Sequence, residues 1–341
     1  MAEPIDSIQA QLRGQPRAWL VTGVAGFIGS HLLHRLLELG QAVRGLDNFA
    51  TGHRRNLEAV RAAVTPEQWA RLDFLEGDVR DAAVCRRACA GREIVLHQAA
   101  LGSVPVSIEQ PLLTHDVNVT GTLNVLQAAR EAGVGRVVYA SSSAVYGDDA
   151  RESKVEDVLG RPLSPYAASK RMNEIHAEVF GRCYGLGSVG LRYFNVYGPR
   201  QDPGGAYAAV IPKWIAALLQ AEAVVIHGDG ETSRDFCYVG DVVQANLLAA
   251  TTADPGVLGQ VCNVAGGERT TLNGLFSTLR ELLARRNPAL ARVQARHGEF
   301  RVGDVRHSLA DLTRARDGLG YRPTHRLAQG LARTLEWHQG P

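Results

Sequence analysis

The amino-acid sequence predicts an α/β fold, a doubly wound parallel sheet followed by a smaller C-terminal α/β lobe. In the first half of the chain, short apolar runs alternate with segments of helical apolar spacing, which is the order of a βαβ protein. The first apolar run leads into a glycine-rich turn at residues 22–29, and a helix follows at once. Strand, glycine turn and helix in this order are typical of a Rossmann sheet, whose first helix points its amino end at a phosphate group.

The individual elements follow from apolar spacing. Strands are predicted at 18–22, 42–46, 74–77, 94–97, 137–141 and 188–194, and helices at 28–39, 117–132 and 166–184. A Gly- and Pro-rich loop at 197–208 then precedes helices at 211–220, 241–251 and 272–285 and a strand at 224–226. We therefore place a Rossmann domain at 17–195, to which segments near 238–265 return, and a second lobe mainly at 196–337.

Composition limits the class of protein. The 341 residues have a formal net charge of +2 and 45% hydrophobic side chains, which is ordinary for a soluble protein and gives no charge excess for nucleic acid or a membrane surface. No apolar run approaches the roughly 20 residues of a membrane span, and the N-terminus lacks the apolar core of a secretory signal. The five cysteines show neither disulfide nor zinc spacing, so we expect no metal, five small buried side chains and a reducing cytoplasm.

The turn Gly23-x-x-Gly26-x-x-Gly29 predicts a dinucleotide site. Its glycines allow a tight turn, a close approach to the pyrophosphate and close packing of the helix on the strand. Asp47 ends the second predicted strand, where a carboxylate accepts hydrogen bonds from both ribose hydroxyls and repels a 2′-phosphate. This selects NAD over NADP, although Arg54 and Arg55 follow and weaken the selection slightly.

A tyrosine, a lysine and a serine carry the predicted chemistry. Tyr166 and Lys170 are four residues apart, so a helix places them on one face. A free phenol has a pKa of about 10, and we expect the pKa of Tyr166 to fall because an ammonium and an oxidised nicotinamide both favour the phenolate. Ser142, at the end of a predicted strand, can hydrogen-bond the reacting sugar oxygen and share its proton.

Taken together, these motifs resemble those of the extended short-chain dehydrogenase/reductases, in particular the nucleotide-sugar 4-epimerase branch. The resemblance runs from Trp19 to about Trp337 and includes segments similar to bacterial UDP-N-acetylglucosamine (UDP-GlcNAc) 4-epimerases. It rests on residues 22–29, 97–100, 141–147, 166–170, 192–199, 228–230 and 234–236. The resemblance implies a tightly held NAD and a C-terminal lobe that binds the nucleotide diphosphate.

The resemblance also assigns candidate residues to each ligand. For NAD they are Gly23, Gly26, Phe27, Ile28, Asp47, Asn48, Asp78, Val79, Gln98, Ala99, Ala100, Tyr166, Lys170 and Tyr193, with Asp78 at the adenine. For the substrate they are Gly102, Ser103, Ser142, Ser143, Asn195, Ala209, Val210, Arg234, Arg301, Asp304 and Ser308. Arg234 and Arg301 resemble phosphate-binding arginines, and Asp304 resembles the carboxylate that holds the uridine ribose.

Three reactions of this branch can be separated. Sugar 4,6-dehydratases carry an Asp-Glu pair after the catalytic hydroxyl, and UDP-glucuronate decarboxylases usually carry a nearby Glu. Here Ser143 and Ala144 follow Ser142, which leaves the 4-epimerases. Their mechanism has Tyr166 as base and a transient 4-keto sugar, with enzyme-bound NAD regenerated in each cycle.

The choice of sugar depends on Ser308. In the family a bulky Tyr at this position narrows the sugar pocket, so Ser308 predicts room for a 2-N-acetyl group and the interconversion of UDP-GlcNAc and UDP-N-acetylgalactosamine (UDP-GalNAc), or of their uronic acids. The alternatives are a UDP-glucuronate or UDP-glucose 4-epimerase and, in another class, a non-catalytic NAD-binding sensor. The resemblance further implies a homodimer formed through the helices near 118–132 and 166–184, and a role in surface polysaccharide synthesis.

Overall fold

A seven-stranded, fully parallel sheet forms the centre of the molecule, as the computed structural model of residues 5–204, 209–220, 222–300 and 306–339 shows. Its strands are β1 (Ala18–Thr22), β2 (Ala42–Asp47), β3 (Leu72–Glu76), β4 (Ile94–His97), β5 (Arg136–Ser142), β7 (Ser188–Tyr193) and β12 (Val261–Val264), in the spatial order β12-β7-β5-β4-β1-β2-β3. The strand order reverses between β1 and β4. In doubly wound sheets a ligand-binding crevice opens at this point.

Helices cover both faces of the sheet, which confirms the predicted fold class. They are α1 (Ile5–Gly14), α2 (Phe27–Glu38), α3 (Arg54–Ala63), α4 (Pro66–Trp69), α5 (Ala82–Cys89), α6 (Val104–Glu109), α7 (Pro111–His115), α8 (Gly121–Glu131), α9 (Pro165–Tyr184), α10 (Val210–Leu219), α11 (Val239–Thr251), α12 (Leu272–Ala284) and α13 (Leu327–Gln339). One apolar core joins the sheet to α1, α2, α3 and α11, and a second joins it to α5, α8 and α9. These two cores are the layers that a buried parallel sheet requires.

The C-terminal lobe consists of α10, α12 and α13 with short strand pairs. The pairs are β9 (Val225–His227) with β14 (Arg296–Gly298), β10 (Ser233–Asp235) with β13 (Arg269–Thr271), β11 (Cys237–Tyr238) with β8 (Val196–Tyr197), and β15 (Leu309–Ala310) with β6 (Ser153–Lys154). The core of the lobe contains Trp214, Phe276 and Leu331. Between the elements of this lobe the chain contributes α11 and β12 to the main sheet, where Val261 pairs with Gly190. The domain limits themselves stay a prediction.

The predicted helix at 117–132 differs most from the observed structure. The helical run begins at Pro111 and contains a π-helical turn, Asp116–Thr120, before α8. Asn118, fully buried in this turn, accepts a hydrogen bond from Leu101 N–H at 2.8 Å and donates to Leu101 O and Ser169 Oγ at 3.1 and 3.0 Å. The extra residue in the turn allows the Asn118 amide to bind a neighbouring loop, as such turns often do near functional sites.

Other differences are smaller. Strand β3 begins at Leu72 rather than at 74, and α1 was not predicted, although Ile8 and Leu12 on one of its faces are buried against the sheet layer. Cys85, Cys89, Cys237 and Cys262 are buried free thiols, but Cys183 is exposed, so the expectation of five buried cysteines was wrong for that residue. Cys183 lies in the last turn of α9, beyond the part that packs on the sheet. Among the described helices, none combines the length and apolar composition of a membrane crossing.

Candidate active site

One cavity of about 1420 Å³ extends along the carboxyl edge of the sheet, from the glycine turn to the C-terminal lobe. Its volume exceeds the roughly 300–1,000 Å³ of a pocket for one drug-sized ligand, which suits a dinucleotide together with a second nucleotide. Of the predicted residues it is lined by Gly23, Gly26, Phe27, Ile28, Asp47, Asn48, Asp78, Val79, Gln98, Ala99, Ala100, Gly102, Ser103, Ser142, Ser143, Tyr166, Lys170, Tyr193, Asn195, Ala209, Arg234 and Ser308.

Three predicted residues are not placed in this wall. Val210 is the first residue of α10, next to the lining residue Ala209, and does not line the cavity itself. Arg301 and Asp304 lie outside the described residues. Their roles stay predictions.

The glycine turn lines the cavity and packs too closely on neighbouring backbone to admit side chains. Gly23 has φ +68°, and a Cβ there would lie 2.8 Å from the backbone nitrogen of Ala99. A Cβ at Gly29 would lie 2.0 Å from the carbonyl oxygen of Gly23, which also accepts a hydrogen bond from Gly26 N–H at 3.0 Å. Only glycine suits these positions, and the amino end of α2 points into the groove, so the turn fits a bound dinucleotide.

Asp47 is held in place by the same turn. Its carboxylate accepts hydrogen bonds from Ala25 N–H and Phe49 N–H, both at 2.8 Å, and only 7% of the residue is exposed. Burial raises the pKa of Asp47, and these hydrogen bonds partly oppose the rise. The carboxylate therefore occupies a defined place at the cavity wall, beside the glycine turn, where a ribose would lie.

The two arginines that follow Asp47 are engaged elsewhere. Arg54 pairs with Glu76 at 3.0 Å and stacks on the ring of Phe49, and Arg55 pairs with Asp202 at 3.1 Å. Both side chains thus have carboxylate partners of their own. This arrangement favours NAD over NADP, because a 2′-phosphate would have to displace those carboxylates.

The far end of the groove is formed by Asp78 and its neighbours. Asn48 donates to Asp78 at 2.9 Å, and the guanidinium of Arg80 donates to both Asp78 oxygens. Arg80 lowers the pKa of Asp78 to about 2, so the carboxylate is ionised throughout the neutral range. Val79 packs against Gly121 and completes this wall.

A ring of three polar side chains supports the middle of the groove. Tyr193 OH donates to Gln98 Oε1 at 3.2 Å, and Asn246 of α11 donates to Tyr193 OH at 2.9 Å. Gln98 Nε2 closes the ring by donating to Asn246 Oδ1 at 3.2 Å. The sequence did not indicate Asn246, because it lies 148 residues from Gln98 and only the return of α11 to the sheet brings them together.

The catalytic candidates meet where β5 ends and α9 begins. Ser142 is the last residue of β5; its hydroxyl accepts from Ala144 N–H at 3.2 Å and lies near the Tyr166 phenol, with which it lines the cavity. Ser164 caps α9 by accepting from Ala167 N–H at 3.1 Å, which places Tyr166 in the first turn. Lys170, one turn later, donates to the carbonyl of Ala140 at 2.9 Å, and its ammonium lies 5.9 Å from the centre of the Tyr166 ring.

Burial is the main cause of the pKa shifts of these groups. Burial raises the pKa of Tyr166, while the Ser142 hydroxyl opposes the rise, so the protein groups alone do not produce the expected fall. Burial also lowers the pKa of Lys170 to about 8, and the Glu174 carboxylate opposes that change. His97 is held neutral between Thr22 and Thr122, because burial, with a smaller effect of Lys170, lowers its pKa to about 3. An oxidised nicotinamide bound beside Tyr166 would add a positive charge, which, like the Lys170 ammonium, favours the phenolate.

The substrate side is built by the strand β10. The carboxylate of Asp235 accepts from the backbone N–H groups of Gly266, Gly267 and Ala310, and its carbonyl accepts from the side chain of Asn195 at 2.9 Å. Burial raises the pKa of Asp235 to about 7. These hydrogen bonds fix strand β10 in place, and the strand holds the neighbouring Arg234 at the cavity.

Two other residues complete the substrate wall. Ser308 N–H donates to Ser233 O at 3.3 Å, so Ser308 faces the same cavity as the catalytic residues. Gln201, which the sequence did not indicate, also lines the cavity; its Nε2 donates to Val196 O, and its buried Oε1 has no partner among the described residues. Nothing in the loop sequence Arg200-Gln201-Asp202 distinguished this glutamine from a solvated one.

Similarity to known proteins agrees with this geometry. Residues 19–265 match the NAD dependent epimerase/dehydratase family. The chain is 38% identical to the UDP-glucose 4-epimerase of Mycolicibacterium smegmatis over 320 residues, 93% of this chain and 97% of that protein. It is 32% identical to the UDP-glucuronate 4-epimerase of Thermodesulfobacterium geofontis over 323 residues, 94% of this chain and 95% of that protein.

A solved structure shares the whole architecture. The UDP-N-acetylglucosamine 4-epimerase of Methanobrevibacter ruminantium M1, in complex with UDP-N-acetylmuramic acid, is 36% identical, with a TM-score of 0.86 over 95% of this chain and 98% of that one. The three proteins are named for different sugars but for one reaction, and the family uses NAD. The chain therefore belongs to the NAD dependent epimerase/dehydratase family and is an NAD-dependent 4-epimerase, an isomerase that causes no net oxidation.

Proposed function

We propose that this nucleotide-sugar 4-epimerase interconverts UDP-GlcNAc and UDP-GalNAc, and their uronic acids, through a transient 4-keto sugar. The observation that carries the choice of sugar is Ser308, a small, half-buried residue in the wall of the cavity that contains Ser142 and Tyr166. A tyrosine side chain at this position would extend into the cavity, whereas serine leaves space for an N-acetyl group.

The proposed chemistry uses the groups at the end of β5. The Tyr166 phenolate takes the proton from the 4-hydroxyl of the sugar and later returns it, with Ser142 in hydrogen-bond reach of the same oxygen. Lys170 stabilises the phenolate and can hold the nicotinamide ribose. Bound in the groove beside Asp47, NAD supplies reversible oxidation at C4. The chain contributes orientation and a base of adjusted pKa.

The sugar must be free to turn while its nucleotide stays bound. Arg234 and Asn195 lie in the cavity wall on the C-terminal side, and we assign them to the diphosphate. Arg301 and Asp304 are proposed for a phosphate oxygen and the uridine ribose. Holding the diphosphate at one end allows the keto sugar to present either face to the cofactor.

The test is incubation of the purified protein with UDP-GlcNAc without added reductant, followed by NMR of the products. A stable mixture with UDP-GalNAc supports the proposal. Turnover of UDP-glucuronate or UDP-glucose alone would keep the mechanism and refute the choice of sugar. No turnover of any of these, with or without added NAD, would favour the alternative of an NAD-binding sensor, against which the intact Ser142, Tyr166 and Lys170 argue.

We also propose that two copies pair through α8 and α9. The outward face of α9 carries Met172, Ile175 and Val179, which are 41–45% exposed, and Leu123 of α8 is 36% exposed. An apolar face of this kind is typical of a subunit interface. Size-exclusion chromatography with light scattering should give a dimer for the native protein and a monomer for Ile175→Glu, and a native monomer refutes the pairing.

The setting of the enzyme is likewise a proposal. Four buried, unpaired thiols suit a reducing cytoplasm, and UDP-GalNAc is a building block for surface polysaccharides. Deleting the gene and analysing the sugars of the cell surface tests the second point, since an unchanged galactosamine content would contradict it.

A further inference from the structure

An ion pair lies buried beneath the catalytic residues. Glu174 of α9 and Arg192 of β7 are 3% and 1% exposed, and Arg192 Nε and Nη2 donate to the two carboxylate oxygens at 2.8 and 2.9 Å. A buried pair of this kind adds little net stability, because desolvation offsets its attraction. The ion pair therefore matters for where it holds the elements that carry the reacting groups.

Helix α9 contacts the end of β5 through one row of side chains. Tyr166, Lys170 and Glu174 are four residues apart and lie on one face. Two of these side chains bind consecutive β5 residues, Lys170 Nζ donating to Ala140 O at 2.9 Å and Glu174 Oε1 accepting from the Ser141 hydroxyl at 2.6 Å. The third, Tyr166, lies near the hydroxyl of the next β5 residue, Ser142.

Arg192 joins this row to the next strand. Ser141 and Arg192 are register partners in the β5–β7 ladder, and both donate to the Glu174 carboxylate. Arg192 also donates to the carbonyl of Glu156 at 2.9 Å, and its guanidinium lies 4.9 Å from the centre of the Tyr146 ring. A shift of α9 along β5 would leave several buried donors and acceptors unpaired, each at a cost in free energy.

The same carboxylate is an anionic neighbour of Lys170. Burial lowers the pKa of Lys170 to about 8, and Glu174 is the group that opposes this fall. Charged and titratable groups near the Lys170–Glu174 pair come from α9 itself, from the sheet and from the turn after β5. They are Tyr166 and Arg171 of α9, His97 of β4, Tyr139 of β5, Tyr146 of the turn after β5 and Arg192 of β7.

We propose that Glu174 and Ser141 are positioning residues of the epimerase reaction: with Arg192 they hold helix α9 in register with strand β5, and Glu174 is the anionic neighbour of Lys170 on the same face of the helix. Glu174 does not line the cavity, and the Ser141 hydroxyl is directed to the Glu174 carboxylate. They act by placing the Tyr166 phenol against the Ser142 hydroxyl and by retaining the ammonium that stabilises the phenolate. Only the kinetic part of the test rests on the proposed function.

The first experiment measures Lys170 directly. The chain contains three lysines, Lys154, Lys170 and Lys213, so NMR of protein labelled with carbon-13 at the lysine ε-carbon gives a spectrum in which Lys170→Met identifies one signal. In Glu174→Gln we expect the titration midpoint of Lys170 to move about one pH unit lower. The matched control is Glu178→Gln, which removes the exposed pair with Arg182 one turn along the same helix and should leave the midpoint unchanged.

The second variant, Ser141→Ala, keeps the ion pair and removes only the hydroxyl. With a UDP-sugar that the native enzyme converts, kcat should fall on the order of tenfold with KM unchanged, less than the roughly hundredfold cost of a 1 Å misplacement. A folded Glu174→Gln protein with the native Lys170 midpoint, or an equal shift in Glu178→Gln, overturns the proposal. Should Glu174→Gln fail to fold, a kcat of Ser141→Ala within twofold of native overturns it. Because the lysine titration needs no substrate, an error in the proposed sugar leaves that result decisive.

Discussion

Replacing Gly29 with alanine should weaken NAD binding while the sheet still folds. The added Cβ would lie 2.0 Å from the Gly23 carbonyl oxygen and 2.7 Å from its carbon, whereas ordinary contacts begin at 3.4 Å. The neighbours are backbone atoms, so the turn or α2 must move by on the order of 1 Å. Overpacking of this kind costs about 1–3 kcal/mol. If the cost falls on the turn that we assign to the pyrophosphate, the NAD dissociation constant rises about 5- to 150-fold.

The assay is the NAD content of the purified variant, followed by titration of the apoprotein with NAD and detection by calorimetry. Circular dichroism establishes that the variant is folded. The control is Gly14→Ala, because a Cβ at Gly14 meets no atom within 4 Å, and this variant should bind NAD as the native protein does. Native affinity in Gly29→Ala would refute the assignment of the turn as the pyrophosphate site.

The remaining predictions concern the base, its lysine, the ribose carboxylate and the sugar pocket. Tyr166→Phe should lower kcat by about a hundredfold or more with NAD content unchanged; retained activity would exclude Tyr166 as the base. The ammonium of Lys170 is lost as pH rises through its pKa of about 8. We therefore expect kcat to decline on the alkaline side with a midpoint at or below about 8. A kcat that stays constant up to about pH 9.5 would contradict this. Asp47→Asn should weaken NAD binding about tenfold, since the one amide oxygen can accept from only one of the N–H donors of Ala25 and Phe49, and calorimetry measures the change. Ser308→Tyr should reduce turnover of UDP-GlcNAc relative to UDP-glucose by about tenfold or more. An unchanged ratio would show that Ser308 does not line the sugar pocket.

Local patterns predicted six of the seven strands of the sheet and indicated the Tyr166–Lys170 pair of the candidate site. The strand predicted at 18–22 and the helix predicted at 28–39 agree with β1 and α2 within one residue, because a buried parallel strand is a continuous apolar run and a glycine turn separates it from an amphipathic helix. Tyr166 and Lys170 were recognisable together because their spacing of four is a property of the helix itself. These features involve only neighbours in sequence.

Long-range contacts explain what was missed. The π-helical turn at Asp116–Thr120 exists because the buried Asn118 binds the backbone of Leu101, 17 residues earlier. The direction of the Tyr166 pKa was wrong for the protein groups alone because the degree of burial cannot be deduced from a motif. Nothing in the sequence distinguished Glu174 from an acidic residue on a helix surface, because its partner Arg192 is on β7 and meets it only in the folded chain.

The sequence by itself determined the fold class and the nicotinamide cofactor and predicted Tyr166 as the base, because each depends on residue types at short, regular spacing. Only the tertiary structure decided that Asn246 and Gln98 share a hydrogen-bonded ring, that Arg54 and Arg55 are engaged by other carboxylates, and that Ser308 faces the cavity of Tyr166. The physical reason is chain topology. Residues more than a hundred positions apart meet when β12 and α11 return to the sheet and when β15 pairs with β6, and no local pattern encodes those distances.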